Sequence, residues 1–327
     1  MPKLTAMDEQ FVHQIPEPLP NTAIEHEHWR ESYFFVAHPR DRIDGDVPIV
    51  APATYPSRHV LDALVMGRAS GTQLFKRYSR DAGGDPHSTV IGPAAIRIVE
   101  PYKRVEIEVD DAEGDLQLEL TFTARTPAYG LRRGRMLGAD GELIWDQSHM
   151  IQSGRYDGRM SVGGVVTEVD GWWGQRDHSW GVRNHARCPL LIWLALQFEE
   201  GMLGVWHWEL ANGAHIYTDG CWSPVDGGEP VPVIDFHHDL EWTDADGKPA
   251  TWTGNWQQVT GLRGACEVTF AGGSRVVVEG EGRWAAPYGP LGGQHLLAVR
   301  TDDGREGNGI YEVTGSDHHR YFPNAGG

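Results

Sequence analysis

The chain has 327 residues, 40% of them hydrophobic and 23% charged, with a formal net charge of −18. This is the balance of a globular protein and not of a disordered one, and its acidic field repels nucleic-acid phosphate and anionic lipid. Three separated cysteines, Cys188, Cys221 and Cys266, form no CxxC pair, which argues against a disulfide framework or a cysteine zinc site.

Residues 1–10 carry neither an apolar core nor a cleavage pattern, and no run reaches the roughly 18 apolar residues of a membrane span. The expectation is a cytoplasmic protein. Residues 1–30, with Pro16, Pro18 and Pro20, read as an extended surface arm. Strand signals begin at Tyr33–Val36. Arg58–Met66 and a short piece near Leu131 are the only stretches that suggest a helix. Arg97–Val99 and Lys103–Val109 follow as strands, broken at Pro101. In the second, Val105, Ile107 and Val109 alternate with Glu106 and Glu108. Leu116, Leu118, Leu120 and Phe122 alternate in the same way, and Glu113-Gly114-Asp115 between the two runs predicts a hairpin turn.

The second half repeats this style. Leu191–Phe198 is an apolar run, and Asn212-Gly213 joins Met202–Leu210 to Ala214–Thr218 as a hairpin. Gly272-Gly273 and Asp303-Gly304 separate two further pairs of short strands. The 41 Gly and 20 Pro are spread without a period, as turns between many strands require. The fold class expected is all-β, with antiparallel sheets closed or nearly closed into barrels, and a domain boundary near residue 175.

The centre of the chain departs from this patterning. It reads Gly171-Trp172-Trp173-Gly174-Gln175-Arg176-Asp177-His178-Ser179-Trp180-Gly181-Val182-Arg183, which forms no regular apolar face. Arg, Asp and His are costly to bury unless paired, so their clustering predicts a polar network. Asp177 is placed to orient His178 for proton transfer, or to pair with Arg176 or Arg183. A plain structural alternative is a buried Arg176–Asp177–Arg183 clamp.

The Gln175–Gly181 run with its Gly171-aromatic lead-in resembles the AttH-like, lipocalin-like superfamily that includes the carotenoid 1,2-hydratases. His13–Leu19, Ile91–Pro93, Glu100–Arg104 and Gly309–Glu312 fit an uncharacterised branch of it, so the resemblance spans most of the chain. It implies two lipocalin-like β-barrel or sandwich domains packed together, residues 1–174 and 175–327, with a pocket near their junction. It also implies that His178 and Trp180 act in catalysis. The Tyr and Asp of a later strand map onto Tyr217 and Asp219, with a looser spacing than the family has. Glu209, on one strand face with His207, is an alternative carboxylate.

These residue types suit one chemistry. Protonating an isolated alkene needs a buried carboxylic acid, and aromatic faces stabilise the resulting cation. Trp172, Trp173, Trp180, Trp193, Trp206, Trp208 and Trp222 fall close together, among 13 Trp in the chain. The expectation is therefore a cofactor-independent hydratase, lyase, isomerase or cyclase acting on an apolar, isoprenoid-like molecule. Asp177, His178, Tyr217 and Asp219 would be catalytic. Arg176, Trp173, Trp180, Trp193, Trp206 and Glu209 would line the substrate. The alternative is a non-catalytic carrier of a hydrophobic ligand.

No resident metal or cofactor is expected. Glu25-His26-Glu27-His28 offers a His pair without a third ligand, and His237-His238 and His318-His319 read as surface loops. No phosphate-cradling motif or nucleophile elbow is present. Open sheet edges leave self-association into a homodimer as the partner expectation.

Overall fold

Period-two alternation decides the architecture. The computed structural model describes residues 4–9, 26–83, 88–188, 190–315 and 321–322. Among them are no α-helices, only short 3-10 turns, and no helix is long and apolar enough to cross a membrane. The chain divides into two units. One holds residues 1–39 and 46–184, the other residues 40–45 and 185–327.

The first unit carries twelve strands: β1 Trp29–His38, β2 Val47–Tyr55, β3 Val60–Ala69, β4 Thr72–Asp81, β5 Val90–Ile91 and β6 Ala94–Glu100, then β7 Arg104–Asp111, β8 Leu116–Ala124, β9 Tyr129–Gly130, β10 Gly134–Leu137, β11 Leu143–Val162 and β12 Val165–Arg183. They form one antiparallel sheet in the order β4-β3-β2-β1-β12-β11-β8-β7-β6-β5, with β9 and β10 on β11. The core face gathers Tyr33, Phe35, Leu118, Phe122 and Tyr156. Each fully buried side chain of this kind contributes about 1.5–3 kcal/mol of apolar transfer.

Across the predicted turn, Asp111 pairs with Leu116, so the β7–β8 hairpin forms as its alternation requires. The helix expected over Arg58–Met66 does not form. Leu61, Ala63 and Val65, all fully buried in the core, impose a strand period on β3. Nor is there a helix near Leu131, whose N–H donates to the His149 carbonyl at 2.8 Å. The division between units follows β12 and does not cut it at residue 175. Glycines let β12 fit. A Cβ at Gly174 would collide with the Val36 carbonyl and the Tyr156 ring, and Gly181 sits at φ +138°, with a Cβ there driven into the Asp146 carbonyl.

The second unit carries β13 Leu190–Gln197, β14 Gly201–Glu209, β15 His215–Pro224, β16 Val231–His238, β17 Glu241–Thr243, β18 Gly261–Phe270, β19 Arg275–Pro287, β20 Gly292–Thr301 and β21 Glu306–Thr314. The order is β16-β15-β14-β13-β21-β20-β19-β18-β17, and pairing of β16 with β18 closes an eight-stranded antiparallel barrel. Leu190, Ile192, Leu194 and Leu196 point into its core with Trp242, Trp252 and Trp284. The Asn212-Gly213 hairpin forms, with Glu209 opposite His215.

Most of the expected N-terminal arm, including Pro16, Pro18 and Pro20, lies outside the described residues, as do Glu25 and His318-His319. Ala6–Glu9 is described and departs from a surface arm. It is a 3-10 turn that buries Glu9 completely.

Candidate functional site

The central motif is the strand β12, and a strand sends successive side chains to opposite faces. Arg176, His178 and Trp180 point to the core face. Asp177 and Trp173 point to the reverse face. This geometry separates Asp177 from both Arg176 and His178, so the expected Asp177–His178 pair and the Arg176–Asp177–Arg183 clamp do not form.

On the core face the partners come from elsewhere in the sequence. Arg176 donates from Nη1 to Glu9 Oε2 at 3.0 Å and from Nε to Gln152 Oε1 at 2.9 Å. Gln152 in turn donates to the carbonyls of Tyr102 and Thr126, at 2.8 and 2.9 Å. Tyr33 donates its hydroxyl to the Glu9 carbonyl at 2.7 Å. His178 donates from Nδ1 to the Asp8 carbonyl at 2.9 Å, and its Nε2 lies within hydrogen-bond distance of Glu31 Oε1, also at 2.9 Å. Both ring nitrogens are thereby engaged, and Tyr33 and Trp180 pack on the ring with centroids 4.4 and 5.2 Å away. Burial pushes the imidazole down to about 4. Four ionisable groups, Glu9, Glu31, Arg176 and His178, are sealed in this network under the 3-10 turn.

Around the motif, the reverse face of β11 and β12 is buried too. Asp177 Oδ1 lies 3.3 Å from His149 Nε2, both side chains under 8% exposed. Gln147 and Gln175 flank them with both amide atoms buried and without hydrogen-bond partners. Trp173 lies under the Arg125 guanidinium, 4.7 Å from its centroid. Arg183 bonds to the Arg30 carbonyl and to Ser32 Oγ, at 3.2 and 3.3 Å. Burial draws Arg183 down to about 9.

In the second unit, register places Asp219 beside Trp206, and Trp206 beside Trp193, in one row across β15, β14 and β13. This row lies outside the barrel core, on the face opposite Leu194 and Val205. Asp219 and Trp193 are nonetheless buried, at 3% and 4% exposure. The two indoles stand 5.9 Å apart at 36°. One residue pair along, Tyr217 stacks on Trp208 at 4.6 Å. Asp219 Oδ1 accepts the Gly220 N–H at 2.7 Å. The row continues through Glu312, opposite Trp193, to Gln294, which donates to Glu312 Oε2 at 2.8 Å.

Glu209 faces the other way, into the barrel. Its Oε2 accepts from His238 Nε2 at 3.1 Å and lies 3.6 Å from His207 Nε2. His207 is held through Nδ1 by Thr218 Oγ1 at 2.8 Å, and burial pulls its imidazole below the usual value. His238 belongs to β16, its side chain 2% exposed, and His237 is exposed on the same strand. Neither lies in the surface loop expected of them. A surface groove of about 690 Å³ runs over β17–β21, lined by Glu241, Arg263, Glu279, Glu281 and Arg300. Its walls are charged and carry no aromatic side chain.

Sequence reasoning missed Glu9, Glu31, His149 and His215. For Glu31 a signal existed, because it shares the alternation of Tyr33 and Phe35 and therefore had to point into the core. His149 alternates with Met150 and lies on the side of Trp145 and Gln147. Glu9 carried no local signal.

The chain belongs to the family of unknown function DUF8625, whose model matches residues 4–255. No curated protein matches it in sequence. It is similar in structure to a protein of Nitrosomonas europaea described as AttH, with a TM-score of 0.59 at 14% identity, covering 92% of this chain and 99% of that one. It is also similar to kievitone hydratase of Nectria haematococca, at TM-score 0.51 and 12% identity, covering 87% and 89%. A third similar structure is CghA with Sch210972, at TM-score 0.58 and 13% identity, covering 95% and 98%. At these identities the likeness is one of fold, and the chain has the AttH-like, lipocalin-like β architecture.

Proposed function

We propose that the protein is an acid–base enzyme of the lyase or isomerase type, acting on an apolar, unsaturated small molecule at the Asp219–Trp206–Trp193 face. The observation that carries this reading is the row itself. A buried carboxyl group stands in register with two indoles, on a face that contributes nothing to the barrel core. A carboxylic acid there would protonate an alkene carbon, and the indole faces would stabilise the cation by their quadrupoles. Capture by water or loss of a neighbouring proton would complete hydration or isomerisation. Tyr217, fixed by Trp208, would orient the substrate. The hydratase among the similar folds and the ligand-bound CghA support a small-molecule role.

In this reading Arg176 and His178 hold the first unit together, because a ring with both nitrogens engaged has no site left for substrate. Asp177, Trp180 and Trp173 keep supporting places on β12, and Glu209 serves the cluster inside the barrel.

The test is incubation with isoprenoid alkenes in isotopically labelled water, with products read by mass spectrometry. Asp219→Asn should lower turnover by about 10²–10⁴-fold while circular dichroism stays unchanged. Equal turnover in a folded variant would sink the assignment. The second reading is a carrier of apolar ligands, in which Asp219 only anchors a polar end. The 2.7 Å hydrogen bond from Gly220 favours it, because it commits one carboxylate oxygen. Tight binding in native mass spectrometry, with neither water addition nor isomerisation in any substrate, would establish the carrier.

A further inference from the structure

We propose that His207, Glu209 and His215 form a binding site for one divalent transition-metal ion of the zinc class, at the β14–β15 hairpin end of the barrel.

The hairpin creates the site. His207 and Glu209 are alternate residues of β14, so both side chains turn into the barrel. The register shifts between Trp208 and Glu209, and Glu209 then pairs with His215 at the start of β15. Three candidate donor atoms from these residues lie within 4.8 Å of one another, the one such group of His, Cys, Asp and Glu among the described residues. A tetrahedral zinc ion with bonds of about 2.0–2.2 Å needs donors about 3.4 Å apart. His207 Nε2 and Glu209 Oε2 are already 3.6 Å apart. The imidazoles of His207 and His215 stand edge to face, with centroids 4.6 Å apart.

A second observation points to a ligand. His207 Nε2 is fully buried and makes no close hydrogen bond, with Glu209 Oε2 standing off at 3.6 Å, although its ring is locked from the other side by Thr218 Oγ1 at 2.8 Å. A buried imidazole nitrogen and a carboxylate oxygen held apart at 3.6 Å are costly to leave without a close mutual bond, and a metal ion between them would bond both. The lock is the arrangement that metal-binding histidines use, with the outer nitrogen hydrogen-bonded so that the inner one is correctly presented. Glu209 is positioned in the same way, by His238 Nε2 at 3.1 Å. His238 is itself within 3.4 Å of the Tyr321 hydroxyl.

Two imidazoles and one carboxylate select zinc, cobalt or nickel over magnesium or calcium, which prefer oxygen donors. Three protein ligands leave a fourth position for water. His215 is exposed, so that position is open to solvent. The site lies on the core face of β14, whereas Asp219 and Trp206 lie on the reverse face. Its existence is independent of the function proposed above.

Untagged full-length protein, stripped with chelator, should be titrated with Zn²⁺ by calorimetry, with Mg²⁺ as the comparison ion. The expected result is one equivalent of Zn²⁺ bound and no response to Mg²⁺. Substituting even an outer partner of a metal ligand costs about 10–100-fold in affinity, so His215→Ala should weaken binding by at least about a hundredfold. His215 is exposed, so the variant should remain folded, and unchanged circular dichroism would verify this. Absence of a stoichiometric Zn²⁺ site in the wild type would overturn the proposal. Unchanged affinity in His215→Ala would overturn it as well.

Discussion

Each unit buries a histidine against a glutamate, and the two pairs are finished differently. In the first unit His178 meets Glu31 at 2.9 Å, and its other nitrogen is taken by the Asp8 carbonyl. Arg176 and Glu9 extend the same network and bind strand to turn, although Arg176 Nη2 and Glu9 Oε1 stay buried without hydrogen-bond partners. In the second unit one nitrogen of His207 is locked by Thr218, and the other makes no close hydrogen bond, Glu209 standing 3.6 Å away. The residue types are nearly the same. What distinguishes the two histidines is whether the second ring nitrogen is hydrogen-bonded, because an unsatisfied buried atom costs about 1–3 kcal/mol unless a ligand completes it.

The largest expected effect breaks the first network. Arg176→Met leaves Glu9 fully buried without its counter-charge, and should lower stability by about 3–5 kcal/mol in urea denaturation. A companion Glu9→Gln substitution in the same chain should recover part of that loss. Additive losses would show that the pair is not coupled.

A smaller effect is set by pH. Burial pushes His295, inside the barrel of the second unit, down to about 3, and His38, in the first unit, down to about 4. Both folded values lie below the unfolded value of about 6.5, so at pH 7 neither group contributes to a pH dependence. As pH falls below about 6.5 the unfolded chain takes up protons that the folded chain refuses. Stability should then drop by about 1.4 kcal/mol per pH unit for each group, until the folded value is reached. Replacing His295 with Leu should remove one such contribution, making the dependence between pH 6 and 4 shallower by about 1.4 kcal/mol per unit. An unchanged slope would mean that His295 is not held neutral.

The smallest effect sharpens the contrast. His215→Ala removes an exposed side chain, so without added metal it should shift stability by no more than about 0.5 kcal/mol. With Zn²⁺ present the wild type should gain stability that the variant does not. Equal gains in the two proteins would count against His215 as a ligand.

Much of the sheet was legible. Glu113-Gly114-Asp115 and Asn212-Gly213 marked hairpins, and the alternation of Leu116, Leu118, Leu120 and Phe122 named a core face. At Arg58–Met66 the pattern misled, because a short apolar run satisfies both periods and only packing of Leu61, Ala63 and Val65 on the sheet chose between them. The site was legible in its residue types and illegible in its pairings. Asp177 and His178 are neighbours in sequence, yet the pleat puts them on opposite faces, where they meet His149 and Glu31.

The sequence by itself determined the all-β class, the main hairpins and the unusual chemistry of residues 171–183, since these follow from local alternation, turn geometry and the cost of burying charge. Tertiary structure alone decided that Glu9 reaches Arg176, that His149 reaches Asp177, and that Asp219 stands in register with Trp206 and Trp193. Local patterning fixes which face a side chain takes. The partner across that face depends on strand order and register, which are set by contacts distant in sequence.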